Sequence, residues 1–147
     1  MKDIPLILIY HRMGKVWIRT TSRENLEASD QLFIEFVEAC HARGMRVIID
    51  GVFNHCGSFH KWMNRSGFYN YKDQANAYAA GAYQRKDSPY HDYFAFSDNR
   101  DEAWPNNNSY EKWWGNDTLP KLNYEGSRDL AEAILEIGRK WVSAPSF

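Results

Sequence analysis

The chain has 147 residues, room for one domain with a buried core. Its 18 basic and 19 acidic residues nearly cancel, which excludes the broad basic face that a nucleic-acid partner needs. Hydrophobic residues at 44% and charged residues at 25% match a soluble globular protein, and no apolar run is long enough to span a membrane.

Residues 1–28 carry charges throughout and show no clear period, apart from a short apolar run from Ile4 to Ile9 that reads as a strand. That run lacks a cleavage site for secretion, so the expected location is the cytoplasm. Cys40 and Cys56 then read as reduced thiols. From Ser29 to Arg43, Leu32, Phe33, Phe36, Val37 and Cys40 fall on one helical face. Ser29 or Asp30 is the expected cap and Gly44 the stop. MRVIID follows as a buried strand, Arg46 to Asp50, so residues 29–56 form one αβ step of a parallel sheet and its following loop. Residues 57–126 sustain neither period, and at that length they read as a functional lobe, an inserted subdomain. The 16% aromatic share concentrates there among Asn, Asp and Gly. Aromatic rings beside hydrogen-bonding side chains suit sugars, although the same rings also serve to pack an irregular lobe. Residues 127–147 hold a second helix, Ser127 to Val142, with Leu130, Ile134, Ile137 and Trp141 on its apolar face and Pro145 beyond it. Sequons at Asn64, Asn107 and Asn116 carry little weight in so Asn-rich a chain.

Side chains at the carboxyl ends of parallel strands face the site that the following loops build. Asp50, Asn54 and His55 hold that position. Asp50 can accept hydrogen bonds from a cation, His55 can donate to a ligand hydroxyl, and Asn54 can bind a metal or brace the loop. The same spacing also fits a turn-capping Asp50 and a satisfied, partly buried His55. A third reading gathers Cys40, His41, His55, Cys56 and His60 around zinc, against the spacing of standard zinc motifs.

IIDGVFNHCG, Ile48 to Gly57, resembles the first signature region of the α-amylase family of glycoside hydrolases. LPKLNYEG, Leu119 to Gly126, resembles a second region, whose form is similar to the neopullulanase, cyclomaltodextrinase and maltogenic amylase group. Between them FHKWMN, SPYHDYFAF and WPNNNSYEKWWGNDT resemble the inserted lobe of that group. The resemblance runs from about Gln31 to Pro145. It implies an α/β fold: a partial (β/α)8 TIM barrel, its third strand and flanking helices, with the aromatic-rich subdomain inserted. It further implies an α-glucan oligosaccharide as partner, cleaved with retention at α-1,4 and also α-1,6 bonds in cyclodextrin, pullulan or starch. In that frame Asp50 supports an active-site arginine, and His55 hydrogen-bonds the glucose beside the scissile bond. Asn54 matches a calcium position that this group often lacks, so no cofactor is required and calcium is the candidate metal. Trp113, Trp114 and Tyr110 are the candidates for stacking on sugar, and full-length relatives are expected to dimerise.

Retaining glycosidases need two carboxylates, a nucleophile and a general acid. No segment matches the family regions that supply them, nor the arginine that Asp50 would support. HRMGKVWIRTTSRENLEA does not match the Tyr-Asp loop expected upstream. A barrel takes about 250 residues. The expectation is an internal piece of a larger enzyme, inactive alone. The alternatives are a non-catalytic carbohydrate-binding piece and a small metal-binding protein.

Overall fold

The computed structural model describes residues 21–69 and 78–143. The strand expected from Ile4 to Ile9 and the stop at Pro145 lie outside the described residues. The chain divides into two compact units, Met1–Asp50 with Glu136–Phe147, and Gly51–Leu135.

In the first unit, helix α1 spans Arg23–His41. It begins six residues before the expected Ser29, with the Leu26 amide donating to the Ser22 carbonyl at 3.0 Å. Arg23, Glu24 and Glu27 are good helix formers, and Leu26 extends the buried stripe of Val37 and Cys40 by further turns. Ser29 is therefore buried inside the helix and not at its cap. Gly44 ends the helix as expected. At φ +73° it lets the Met45 amide reach the Cys40 carbonyl and its own amide reach that of His41, a Schellman closure. Phe33 meets Trp141 edge to face at 5.4 Å, and Lys140 pairs with Asp30. Leu32 and Phe36 stay exposed, so only part of the expected apolar face is covered.

The strand expected over 46–50 does not form. Residues 45–50 have no regular structure, and no described segment pairs with them. A strand takes its hydrogen bonds from neighbours, whatever its own propensity. Ile48 is accordingly 95% exposed.

The second unit is the lobe. Antiparallel bridges join His55 to Lys121, Lys112 to Pro120 and Phe96 to Tyr110, and among the described residues none lengthens into a regular strand. Four segments thus lie in the order 54–58, 118–122, 109–113, 95–97. Trp62, Met63, Tyr69, Tyr78, Tyr93, Phe94, Phe96 and Tyr110 are buried, so about half of the described aromatic residues of the lobe build its interior. Edge-to-face pairs such as Trp62–Tyr93 at 5.1 Å and Tyr69–Tyr78 at 4.8 Å replace aliphatic packing. Two of the sequon asparagines are part of this core. Asn64 is fully buried, and Asn107 is 3% exposed with its amide donating to the Asp98 carbonyl. Neither offers a modifiable amide in the folded lobe.

Helix α2 spans Arg128–Val142, within a residue of the sequence reading. Ser127 caps it, its Oγ accepting from the Leu130 amide at 3.2 Å, and Leu130 is fully buried. Its first turns belong to the lobe and its last to the first unit. No helix among the described residues is long and apolar enough to cross a membrane.

Candidate functional site

The two signature stretches read from the sequence are backbone neighbours. The Leu122 amide donates to the Asn54 carbonyl at 3.0 Å, the Cys56 amide to that of Pro120 at 3.1 Å, and the Ser58 amide to that of Thr118 at 3.0 Å. The far edge of 118–122 is also engaged, because the Trp113 amide donates to the Leu119 carbonyl at 2.9 Å. Two segments about 60 residues apart in sequence are so held beside the turn that carries Trp113 and Trp114.

That register stacks His55 on Trp113, with ring centroids 6.1 Å apart and planes 16° from parallel. Trp113 in turn stacks on Trp114 at 6.0 Å and 28°. His55 Nδ1 lies 2.8 Å from Asn54 Oδ1. A carboxamide oxygen only accepts, so Nδ1 donates to it and Nε2 is the ring nitrogen left for a ligand. The sequence reading has His55 hydrogen-bonding a ligand hydroxyl, and Nε2 is the atom placed to do so.

Tyr110 is placed otherwise. It is 2% exposed, and its hydroxyl donates to the Asp117 carbonyl at 2.6 Å while Arg65 donates to it at 3.2 Å. Its ring is closed to a ligand and supports the turn from beneath. Burial pushes its phenol above the ordinary range. Asp117 bridges Lys112 at 2.6 Å and Arg65 at 3.3 Å. The Lys112 hydrogen bond, with Arg65 adding to it, holds the carboxyl below the usual carboxylate range. Asp117 is thus an ionised clamp and no proton donor. Arg65, Lys112 and Asp117 escaped the sequence reading, since their meeting depends on the fold of an aperiodic segment. Asp50 is exposed and belongs to the other unit.

Among the described residues no three His, Cys, Asp or Glu side chains gather to hold an ion. Burial pushes the Cys56 thiol up to about 12. His60 Nδ1 is committed to the Trp62 amide at 3.3 Å. Calcium wants six to eight oxygens. Asn54 offers a side-chain oxygen already bonded to His55 and a carbonyl bonded to Leu122. The described residues do not fit calcium.

The Cys56 shift has a testable sign. The folded state keeps the proton longer than the unfolded chain, whose thiol has the ordinary value of 9.0. The stabilisation is complete below pH 9 and is lost as pH rises from there towards 12. Alkylation followed by mass spectrometry at pH 8 should label the half-buried Cys56 far more slowly in the folded chain than in denaturant. Rapid labelling in the folded chain would contradict this burial.

A family model described as "Alpha amylase, catalytic domain" matches residues 28–146. An amylopullulanase of Thermoanaerobacter thermohydrosulfuricus is 36% identical over 96 residues, 61% of this chain and 6% of that protein. An amylopullulanase of Thermoanaerobacterium saccharolyticum is 34% identical over 108 residues, 69% of this chain and 7% of its own length. Among solved structures, the type III pullulan hydrolase from Thermococcus kodakarensis superposes with a TM-score of 0.50 at 29% identity. That match covers 78% of this chain and 17% of the hydrolase. The chain therefore spans less than a tenth of the length of these curated relatives.

Proposed function

Because the chain belongs to the α-amylase catalytic-domain family, we propose that it carries a sugar-holding part of an α-glucan hydrolase and does not break glycosidic bonds by itself. The supporting observation is the register of 54–58 against 118–122, which sets His55 on Trp113. An imidazole that hydrogen-bonds a hydroxyl beside an indole that meets an apolar ring face is the pairing a pyranose needs. In this reading Asn54 orients His55 and Tyr110 supports the turn. Asp50 steadies an arginine outside this sequence. Residues 57–126 are the inserted subdomain, and the helices of residues 29–56 and 127–147 flank the third strand of a (β/α)8 barrel. That strand is Arg46 to Asp50, and it pairs only when neighbouring strands are present.

The lack of turnover follows from the chemistry. Retention requires two carboxylates about 5 Å apart, one of them able to give a proton. Of the two carboxylates that flank the tryptophan pair, Asp117 is ionised and paired with Lys112, and Glu111 is paired with Lys121 at 2.6 Å. Calorimetric titration of the chain with maltohexaose should show binding that His55→Ala weakens about tenfold, the loss of one hydrogen bond. Cyclodextrin and pullulan should remain intact. Turnover abolished by His55→Ala would overturn the inactivity, and absence of any sugar binding would remove the reading.

A further inference from the structure

Of the three described non-glycine residues at positive φ, Asn64, Asn106 and Trp114, only Trp114 is not an asparagine. It sits at φ 52°, ψ 26°, in the left-handed region that a bulky aromatic residue rarely enters. Packing does not compensate, because Trp114 is 89% exposed. Nor does the backbone lack anchorage. The Gly115 amide donates to the Lys112 carbonyl at 3.2 Å, and the Asn116 amide to that of Trp113 at 3.1 Å. Asn116 Oδ1 accepts from the Thr118 amide at 2.9 Å. Asp117, one residue on, is clamped by Lys112 and Arg65. A flexible tip would relax out of such a conformation. This one is fixed in it, with its ring centroid 6.0 Å from that of Trp113 and most of its surface open to solvent. Strain that is held in place and unrewarded by packing marks a group waiting for a ligand.

The order of the rings says which ligand. Trp113 is the ring neighbour of both His55 and Trp114, with centroids 6.1 and 6.0 Å away. A sugar held by His55 can cover Trp113, while reaching Trp114 takes further rings of the same chain. Resting on the glucan reading above, we propose that Trp114 is the outer stacking plate of the site and makes it selective for longer α-glucan chains over maltose. The gain comes from an exposed apolar ring face meeting the apolar face of a pyranose, with the strained turn already in its bound shape.

The test is calorimetric titration of the chain with maltose and with maltohexaose. The unaltered chain should bind maltohexaose more tightly. Trp114→Gly should lower maltohexaose affinity about tenfold and narrow the gap to maltose, while Trp114→Phe should keep most of the gap. Trp114→Gly should melt no lower than the unaltered chain, since glycine takes a positive φ without strain. An equal loss on both sugars, or none on either, would overturn the proposal and leave the glucan reading standing. If the unaltered chain binds neither sugar, both fall together.

Discussion

Gly81→Ala should destabilise the lobe by about 3 kcal/mol, the upper end of the usual cost of overpacking. A Cβ at this position would stand 2.4 Å from the Met63 carbonyl oxygen and 2.6 Å from Asn64 Cβ. The obstruction is backbone that is itself bonded, because the Ala82 amide donates to the Trp62 carbonyl at 2.8 Å and the Tyr83 amide to that of Met63 at 3.2 Å. The two chains must separate to admit a methyl group, and separation breaks both bonds. Gly115→Ala is the control. Nothing lies within 4 Å of its Cβ, and its φ of +72° costs an alanine only about 1 kcal/mol. Thermal unfolding followed by tryptophan fluorescence should place Gly81→Ala well below Gly115→Ala. Equal midpoints would show that the Met63–Gly81 approach is slack.

Asn64→Ala should cost about 4 kcal/mol, from unpaired buried groups and a left-handed backbone. The Asn64 amide nitrogen donates to the Tyr69 carbonyl at 2.7 Å and to Gln84 Oε1 at 3.0 Å, and its oxygen accepts from the Tyr69 amide at 3.1 Å. All of this happens at a fully buried residue with φ 49°. Asn64→Asp should be worse than alanine near neutral pH. It would aim a carboxylate oxygen at two acceptors, the Tyr69 carbonyl and Gln84 Oε1. Burial raises the pKa of such an acid in the folded state. The protonated form can donate again, so its stability should rise as pH falls and be lost as pH increases. A pH series of melts on the two variants separates charge from packing. Equal destabilisation of Asp and Ala at pH 7 would mean that water reaches the site. Gln84 also accepts from the Gly81 amide at 3.1 Å, so the Gly81 and Asn64 effects should not add.

Helix α2 was legible because its signals agree: a 3.6-residue period, a serine cap and an acidic first turn. The start of α1 was not, since Arg23 to Ala28 offers Leu26 as its one large apolar residue, and helix propensity alone leaves no pattern. Arg46 to Asp50 shows the opposite failure. A β-branched run states what a segment favours and says nothing of whether a partner is present. In the lobe, the absence of period correctly marked irregular structure. The ladder that aligns residues 54–58 with 118–122 is made of backbone groups, which every residue carries alike, so its register left no trace in composition. His55, Trp113 and Trp114 were therefore found as candidates by residue type, and their contact by structure. Tyr110 shows the limit of residue type, because the same ring chemistry that suits a sugar also suits a core.

The ladder between residues 54–58 and 118–122 has one more consequence. It makes the entry and exit of the lobe adjacent, so a host scaffold experiences everything between them as a closed loop. The entropy of closing such a loop grows only logarithmically with its length. Residues between the ladder segments can then be added, lost or exchanged without moving the two attachment points. The lobe is in that sense portable: its contents are free to follow a new ligand while the scaffold that receives it stays unchanged.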